Sequence, residues 1–154
     1  ADCDETNAVI GMAIASGGIG GRTAEVLGVI QNDLFDVGAD LCTPIVEAPE
    51  YEPLRVTEDQ VTQLESWCDD FNEGLTKLSS FILPGGSALS AHLHLSRTVA
   101  RRAERAATAL AAAEDANPAA IKYLNRLSDW LFVAARVAND NGAQDILWVP
   151  GASR

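Results

Sequence analysis

Apolar residues recur at alternating steps of three and four through most of this chain, a spacing that predicts amphipathic α-helices. A helix with one apolar stripe is stable only when it packs against other elements, so successive stripes favour an all-α helical bundle. The two longest stripes consist of Leu27, Ile30, Leu34, Val37 and Leu41, and of Val61, Leu64, Cys68, Phe71, Leu75 and Leu78. With 154 residues the chain has the length of one domain, residues 1–154, and can bury a core of its own.

Glycine, proline and capping residues divide the chain into five helices. Four glycines between residues 17 and 21 separate the first helix from the second, and without a following Lys-Ser/Thr they do not form a phosphate loop. Thr57 with Gln60 makes a capping box. Ser87 follows a Pro-Gly-Gly turn and Asn117 precedes a proline, so both are placed to cap helices. The expected helices span about 4–16, 23–41, 57–78, 87–114 and 118–139, and a short tail follows the last.

The predicted fourth helix carries four arginines between residues 97 and 105, although the net charge of the protein is −11. That acidity disfavours a general nucleic-acid surface, so the arginines indicate a local anion site. On a helical wheel Arg97, Arg101 and Glu104 share one face, and Arg105 lies at its margin. Guanidinium groups bind phosphate oxygens in bidentate geometry, which suits a polyphosphate ligand. Spacing alone leaves open a plain solvent-facing helix with Glu–Arg pairs.

Other chemistries have little support in the sequence. Cys3, Cys42 and Cys68 form no CxxC pair, so reduced, mostly packed thiols of a cytoplasmic protein are expected. His92 and His94 point in different directions on a helix, and the Glu-x-x-His pairs of di-iron bundles do not occur. No apolar run approaches the roughly 20 residues that span a bilayer. Since no serine elbow or Cys/His pair indicates a protein nucleophile, reactive chemistry would come from a bound ligand.

The predicted fifth helix carries a second polar group, in which four residues fall within a narrow sector by helical phase: Asn125, Asp129, Phe132 and Arg136. They could line a ligand pocket against the predicted fourth helix, where Asn125 would supply hydrogen bonds and Phe132 an apolar wall. They could equally pack a subunit contact, and periodicity does not decide between the two. Phe81 lies just before the rigid Pro-Gly-Gly turn, and the sequence does not decide whether it packs at a hinge or has a functional role.

Five segments together resemble the PduO-type ATP:corrinoid adenosyltransferases. They are DETNAVIG (4–11), IQNDLFDVGADLCTP (30–44), FILPGGS (81–87), RTVARRAER (97–105) and YLNRLSDWLFVAAR (123–136). Because they occur in the order of the family across almost the whole chain, the resemblance is specific. The segments DCDETNA and LWVPG look most like actinobacterial members.

The resemblance implies a homotrimer of five-helix bundles with active sites at the subunit interfaces. The reaction of the family transfers the 5′-deoxyadenosyl group of ATP to the cobalt of cob(I)alamin, forming adenosylcobalamin and releasing triphosphate. Cobalt is the nucleophile, which fits the lack of a protein nucleophile. Cobalamin and ATP are then substrates, and Mg²⁺ accompanies the nucleotide without an expected set of direct protein ligands. A flavin-dependent reductase and an adenosylcobalamin-dependent acceptor enzyme are the implied partners, with no role for nucleic acid or membrane.

On the corrin side, the resemblance assigns roles to two aromatic residues. Members of the family bind cob(II)alamin without its lower base, which leaves four-coordinate cobalt that is easier to reduce. By its position in FILPGG, Phe81 resembles the aromatic residue that fills the vacated lower face, since an apolar ring offers cobalt no ligand atom. Phe132 would lie on the corrin side of the pocket.

On the nucleotide side, the segment that contacts ATP and its magnesium in the family is matched by four residues: Arg101, Arg102, Glu104 and Arg105. Arg101 is expected to stabilise the departing triphosphate, and Glu104 to make polar or magnesium-linked contacts. Asn125 matches an asparagine that contacts the nucleotide. Arg97 matches an arginine that pairs across the subunit interface with the acid of the D-E-x-N segment, here Asp4.

One family feature does not occur in the sequence, namely the T-G-D-x-G-x-T segment that precedes the first helix and wraps the ATP phosphates. We therefore expect this chain alone to bind ATP more weakly than a chain extended by that segment. Two alternatives stay open. One is a cobalamin carrier that delivers the cofactor without independent catalysis, and the other is a structural helical oligomer whose arginines serve only interface salt bridges.

Overall fold

The computed structural model describes residues 1–154, and five helices account for most of them. The helices are α1 (Asp2–Ala15), α2 (Gly21–Cys42), α3 (Glu58–Asn72), α4 (Ala88–Ala113) and α5 (Pro118–Val137). Two short strands, β1 (Ile82–Leu83) and β2 (Ile146–Leu147), pair antiparallel. The expected all-α fold with five helices is thus confirmed, with a small ribbon added to it.

Three of the helices begin at the residues that the sequence indicates. Thr57 and Gln60 form the reciprocal capping box, in which the Gln60 amide N–H donates to Thr57 Oγ1 over 3.3 Å and Thr57 N–H donates to Gln60 Oε1 over 2.9 Å. Ser87 Oγ accepts from the Ser90 amide at the start of α4, over 3.1 Å. Asn117 caps α5 with Pro118 at the first position. Each cap satisfies a backbone N–H that has no partner inside the helix, so these starts are fixed locally.

Helix α5 forms the centre of the core. It packs against α4 along most of its length, against α3 on another side and against part of α2, while α1 packs between α4 and α2. The largest side chains without solvent exposure, Trp130 and Tyr123, both lie on α5. The α2 stripe lies in the same core from Leu27 to Val37. None of the five helices combines the length and the apolar character that crossing a membrane requires.

The third helix is shorter than its apolar stripe predicts. It ends at Asn72, so the expected continuation through Leu75 and Leu78 is wrong. Leu75 is half-buried and Leu78 is 39% exposed, and Gly74 lies just before them. Residues 73–80 instead cross the surface as an irregular strap that leads into β1. A residue distant in sequence contacts the strap: Arg136 Nη2 donates to the Thr76 carbonyl over 2.9 Å.

The segment after α5 is not a loose tail. Asp140, Asn141 and Gly142 all have positive φ, at 54°, 52° and 93°, and reverse the chain direction immediately after the helix. Short polar residues and glycine tolerate this left-handed region best, which explains the sequence Asp-Asn-Gly at the reversal. Strand β2 then returns along β1, with Ile82 opposite Leu147 and Leu83 opposite Ile146.

Candidate functional site

Helix α4 presents a row of arginines that have no acidic partner in the chain. The protein contains nine arginines, and five of them form ion pairs: Arg22, Arg55, Arg102, Arg126 and Arg136. Arg97, Arg101 and Arg105, at successive four-residue steps, form none. In a protein with 22 acidic residues, three adjacent uncompensated guanidinium groups mark a face suited to an anion from outside the chain.

Arg97 is the most buried member of this row. Its Nε atom is inaccessible to solvent and has no hydrogen-bond partner. Burial lowers the pKa of the Arg97 guanidinium, and the neighbouring Arg101 lowers it further. A buried N–H donor without an acceptor is costly, so an acceptor from a ligand or from another chain would complete the site.

The polar faces of α4 and α5 meet beside Arg101. Asn125 Nδ2 donates to Glu104 Oε1 over 2.9 Å, and Arg126 Nη1 donates to Asn125 Oδ1 over 2.7 Å. The pKa of the nearby Asp129 carboxyl is raised by burial, and although Arg126 and Arg101 oppose that rise, Glu104 adds to it. The interhelical bond therefore orients Glu104 and Asn125 and leaves Glu104 Oε2 free to accept a further bond.

Arg102 differs from its neighbours on α4. Its side chain pairs with Asp2 at 3.3 Å and with Glu5, so it faces α1. The hydrogen bond to Glu5 is the first cause of the raised pKa of the Arg102 guanidinium. Successive residues on a helix are about 100° apart, so Arg101 and Arg102 cannot share a ligand face without a change of side-chain direction. Its assignment to ATP stays a prediction.

An open groove of about 770 Å³ lies at the amino-terminal end of the arginine row. Phe81, Arg97, Phe132 and Trp148 line it, together with the strap at residues 78–80. Phe81 is 77% exposed, although a residue of its kind is normally buried, and its ring contacts Trp148 edge-to-face with centroids 5.9 Å apart. A wide, mostly apolar cleft with three aromatic rings and one guanidinium at its wall suits a large flat ligand that carries some polar groups.

Arg97 joins the two parts of the site. It lines the groove together with Phe81 and Phe132, and it lies one helical turn from Arg101. A ligand in the groove and an anion on the arginine row would therefore meet beside Arg97. Seven of the residues that the sequence singles out lie on the arginine row, at the α4–α5 contact beside it or at the groove: Phe81, Arg97, Arg101, Glu104, Arg105, Asn125 and Phe132. Arg136 lies apart, in a buried ion pair with Asp145.

Asp4 lies apart from this site. It is exposed on α1 and lines a second groove, of about 350 Å³, between α1 and α2, where Phe35 is 70% exposed. It forms no ion pair within the chain and does not meet Arg97. Only an Asp4 from another copy of the chain could supply the pairing that the resemblance implies.

Three residues at the site were not singled out from the sequence. Trp148 lies in the segment expected to be a tail, and Arg126 anchors Asn125 while also pairing with Glu65 at 3.4 Å. His94, expected not to bind a metal, is buried and contacts Phe132 edge-to-face at 6.2 Å. Burial, aided by Arg97, lowers the pKa of His94, which keeps the imidazole neutral against the groove wall. No sequence signal indicates the contacts of Trp148, of His94 or of Arg126 with Glu65, since each joins residues on different elements.

The chain is similar to known proteins along its whole length. Residues 1–138 match the family model described as cobalamin adenosyltransferase. The corrinoid adenosyltransferase of Mycobacterium tuberculosis is 57% identical over 159 residues, an alignment that covers 100% of this chain and 80% of that protein. The corrinoid adenosyltransferase of Bacillus subtilis is 45% identical over 140 residues, covering 88% of this chain and 70% of that protein.

Solved structures agree with the sequence comparison. A variant PduO-type ATP:corrinoid adenosyltransferase from Lactobacillus reuteri, complexed with cobalamin and ATP, superposes with a TM-score of 0.85 at 35% identity. The match covers 97% of this chain and 81% of that one. The resemblance inferred from the five sequence segments is confirmed, and with it the actinobacterial likeness, since the mycobacterial proteins are more similar than the bacillary one. An uncompensated arginine row, an aromatic groove and these matches lead to one conclusion: the chain belongs to the cobalamin adenosyltransferase family.

Proposed function

We propose that this protein transfers the 5′-deoxyadenosyl group of ATP to the cobalt of cob(I)alamin, forming adenosylcobalamin and releasing triphosphate. The observation that carries the proposal is the uncompensated row of Arg97, Arg101 and Arg105 running from the edge of a groove lined by Phe81 and Phe132. The row suits a polyphosphate, and the groove suits a corrin ring. Their meeting point beside Arg97 is where the carbon of one substrate would reach the cobalt of the other.

Arg101 and Arg105 bind the triphosphate in this proposal. Both are exposed and free of acidic partners, so they can face the phosphates without first breaking an ion pair. Positive charge held in place before the reaction stabilises the charge that develops on the leaving triphosphate. Asn125 and Glu104, held by their 2.9 Å hydrogen bond, contact the nucleotide.

Mg²⁺ would bind mainly through the phosphates of ATP. No three side chains among His, Cys, Asp and Glu converge in this structure to form a protein cage. Mg²⁺ commonly uses one or two carboxylates together with substrate phosphates and water, and the free Oε2 of Glu104 fits such a role. The ion would neutralise phosphate charge there, while Arg101 and Arg105 hold the chain of phosphates.

The two aromatic side chains shape the corrin site. The ring of Phe81 carries no atom able to ligate cobalt, so its presence below the corrin would exclude a lower ligand. Phe132 lies on α5, is half-buried and packs against His94, so it would form a fixed wall of the corrin site. An electron from a flavin-dependent reductase would generate the cobalt nucleophile, and an adenosylcobalamin-dependent enzyme would accept the product.

We further propose that the protein acts as a homotrimer in which Arg97 pairs with Asp4 of a neighbouring subunit. Two observations support this pairing. Arg97 Nε is buried without a partner, and Asp4 is an exposed acid without one. The pair would complete the groove wall with a residue of a second chain.

The absorption and electron paramagnetic resonance spectra of cob(II)alamin test the proposed function. With MgATP, the wild-type protein is expected to give the band of four-coordinate cobalt, and Phe81→Ala is expected to lose most of it because water or the lower base can then reach the metal. The matched control is Tyr51→Ala, which removes an aromatic side chain that is 71% exposed but lies outside the groove. Corrin binding without turnover in the wild type would favour a carrier instead, and no spectral change at all would contradict both.

The interface pair is tested by a double-mutant cycle. Arg97→Ala and Asp4→Ala are each expected to raise the dissociation constant of the trimer. The expected change corresponds to a loss of about 2 kcal/mol of association free energy. The double variant should be no worse than either single one, because the two changes remove the same interaction. Sedimentation measures the effect, and Arg154→Ala, which removes another arginine without an acidic partner, is the control. Additive losses would rule out the pairing.

A further inference from the structure

The segment that follows α5 is held in place by a buried ion pair. Arg136 Nε donates to Asp145 Oδ2 over 2.7 Å, and the two side chains are only 5% and 2% exposed. The other carboxylate oxygen, Oδ1, accepts from Asn139 Nδ2 over 3.2 Å. Both oxygens of Asp145 are therefore engaged, so the segment is fixed at this residue.

The same cluster reaches the turn that follows β1. Asn139 Nδ2 also donates to the Gly85 carbonyl over 3.0 Å, and Asn139 Oδ1 accepts from the Ser87 amide over 2.9 Å. Gly86 has a φ of 99°, and a Cβ there would overlap the Asn139 amide, so only glycine fits. The chain on both sides of the ribbon is thus tied to one buried cluster. A two-stranded ribbon of two residues each would not hold its position without such support.

The ribbon places Trp148 directly on Phe81. The Trp148 amide donates to the Phe81 carbonyl over 2.8 Å, and Ser80 Oγ donates to the Trp148 carbonyl over 2.9 Å. These two bonds fix the backbones of both residues, and the rings meet edge-to-face at 63°. Phe81 is mostly exposed and, of the aromatic rings, contacts only that of Trp148. Without that ring, its side chain would be free to occupy several rotamers.

We propose that Trp148 is a positioning residue, which holds the Phe81 ring in the orientation needed below the corrin, and that the Arg136–Asp145 ion pair fixes Trp148 in that place. The role rests on the proposed function, because it acts through Phe81. An aromatic ring that must exclude a ligand from a metal works only if it stays over the metal. A displacement of about 1 Å at a reacting centre can lower a rate by as much as 100-fold, so the support of Phe81 matters as much as its identity.

Trp148→Ala is expected to lower kcat about tenfold and to reduce the four-coordinate fraction of cob(II)alamin several-fold. ATP affinity and the thermal midpoint should stay near those of the wild type, because Trp148 is 44% exposed and belongs to no part of the arginine row. Trp148→Phe keeps an aromatic edge and should restore most of the signal. Val149→Ala, at the next and more exposed position, is the control and should behave like the wild type.

A cycle with Phe81→Ala separates positioning from direct corrin contact. If Trp148 acts through Phe81, adding Trp148→Ala to Phe81→Ala should not lower the residual kcat further. Additive losses would overturn the proposal, since Trp148 would then contact the corrin on its own account. A full four-coordinate signal in Trp148→Ala would overturn it as well.

The contact can also be measured without any corrinoid. In the free protein, nuclear Overhauser contacts between the Phe81 and Trp148 rings are expected in the wild type. They should weaken in Asp145→Asn, which removes the carboxylate charge but keeps the shape. Unchanged contacts in that variant would contradict the role of the ion pair. A failure of the proposed function is distinguishable, because the wild type itself would then give no four-coordinate band even with the ring contacts present.

Discussion

Replacing Arg101 with alanine is expected to lower kcat/KM about 100-fold, equivalent to about 2.7 kcal/mol of transition-state stabilisation. Arg101 is exposed, forms no ion pair and lies between Arg97 and Arg105 on the same face of α4. Its charge is therefore available to the triphosphate, whose negative charge increases as the carbon–oxygen bond breaks. Loss of a donor that acts mainly on the leaving group should appear in kcat more than in KM.

Two further variants make the Arg101 experiment specific. Arg101→Lys keeps the charge but not the planar fork of donors, so an intermediate loss is expected. Arg154→Ala removes an arginine outside the site and should leave the kinetics unchanged. Single-turnover measurement with pre-reduced corrinoid isolates the transfer step from the supply of electrons. Near-normal transfer by Arg101→Ala would withdraw the assigned role, whatever happened to ATP affinity.

Replacing Asp40 with alanine is expected to reduce the free energy of unfolding by about 3 kcal/mol. The Asp40 side chain is fully buried, and its ion pair with Arg55 is 2.7 Å long. Its Oδ2 atom accepts from the Val56 amide and from Asn117 Nδ2, each over 2.7 Å. One carboxylate thus joins the end of α2, the segment before α3 and the cap of α5. Its removal leaves the buried Val56 N–H without an acceptor and the half-buried Arg55 with only backbone carbonyls to bind.

The thermal midpoint of Asp40→Ala should fall by roughly 6–12 °C, as expected for a loss of this size in a domain of this length. Asp115→Ala is the matched control, because it removes the same charge at an exposed site two residues before Asn117 and has no side-chain partner. Midpoints must be compared at one protein concentration, since oligomers are stabilised by mass action. A shift no larger than that of the control would show that the cluster does not support the fold.

The helix starts could be predicted because their causes are local. The capping box of Thr57 and Gln60 and the Asn117–Pro118 start require residues no more than three positions apart. The apolar stripe of α2 was equally informative, since a continuous stripe buries one face wherever the helix packs. The same reasoning failed at the end of α3. Leu75 and Leu78 keep the helical spacing, but the chain there follows a contact with Arg136, sixty residues away.

The candidate site was predictable in composition but not in arrangement. The sequence pointed to the arginines of α4 and, through the resemblance, to Phe81, Asn125 and Phe132. It could not show that Arg102 turns to Asp2 and Glu5, because that pairing spans 97 to 100 residues. Nor could it show which arginines form ion pairs and which do not. That depends on the acidic residues that each helix face contacts after packing.

By itself, the sequence determined the five helices, the faces they bury and the family of this protein. The helices and their buried faces follow from periodicity and capping, which act over a few residues. The family follows from motifs that can be read in order along the sequence. Only the tertiary structure decided which arginines stay unpaired, and it alone placed Trp148 on Phe81 through the Arg136–Asp145 pair. The physical reason is that burial and charge pairing depend on distances between elements, and those distances exist only once the bundle has packed.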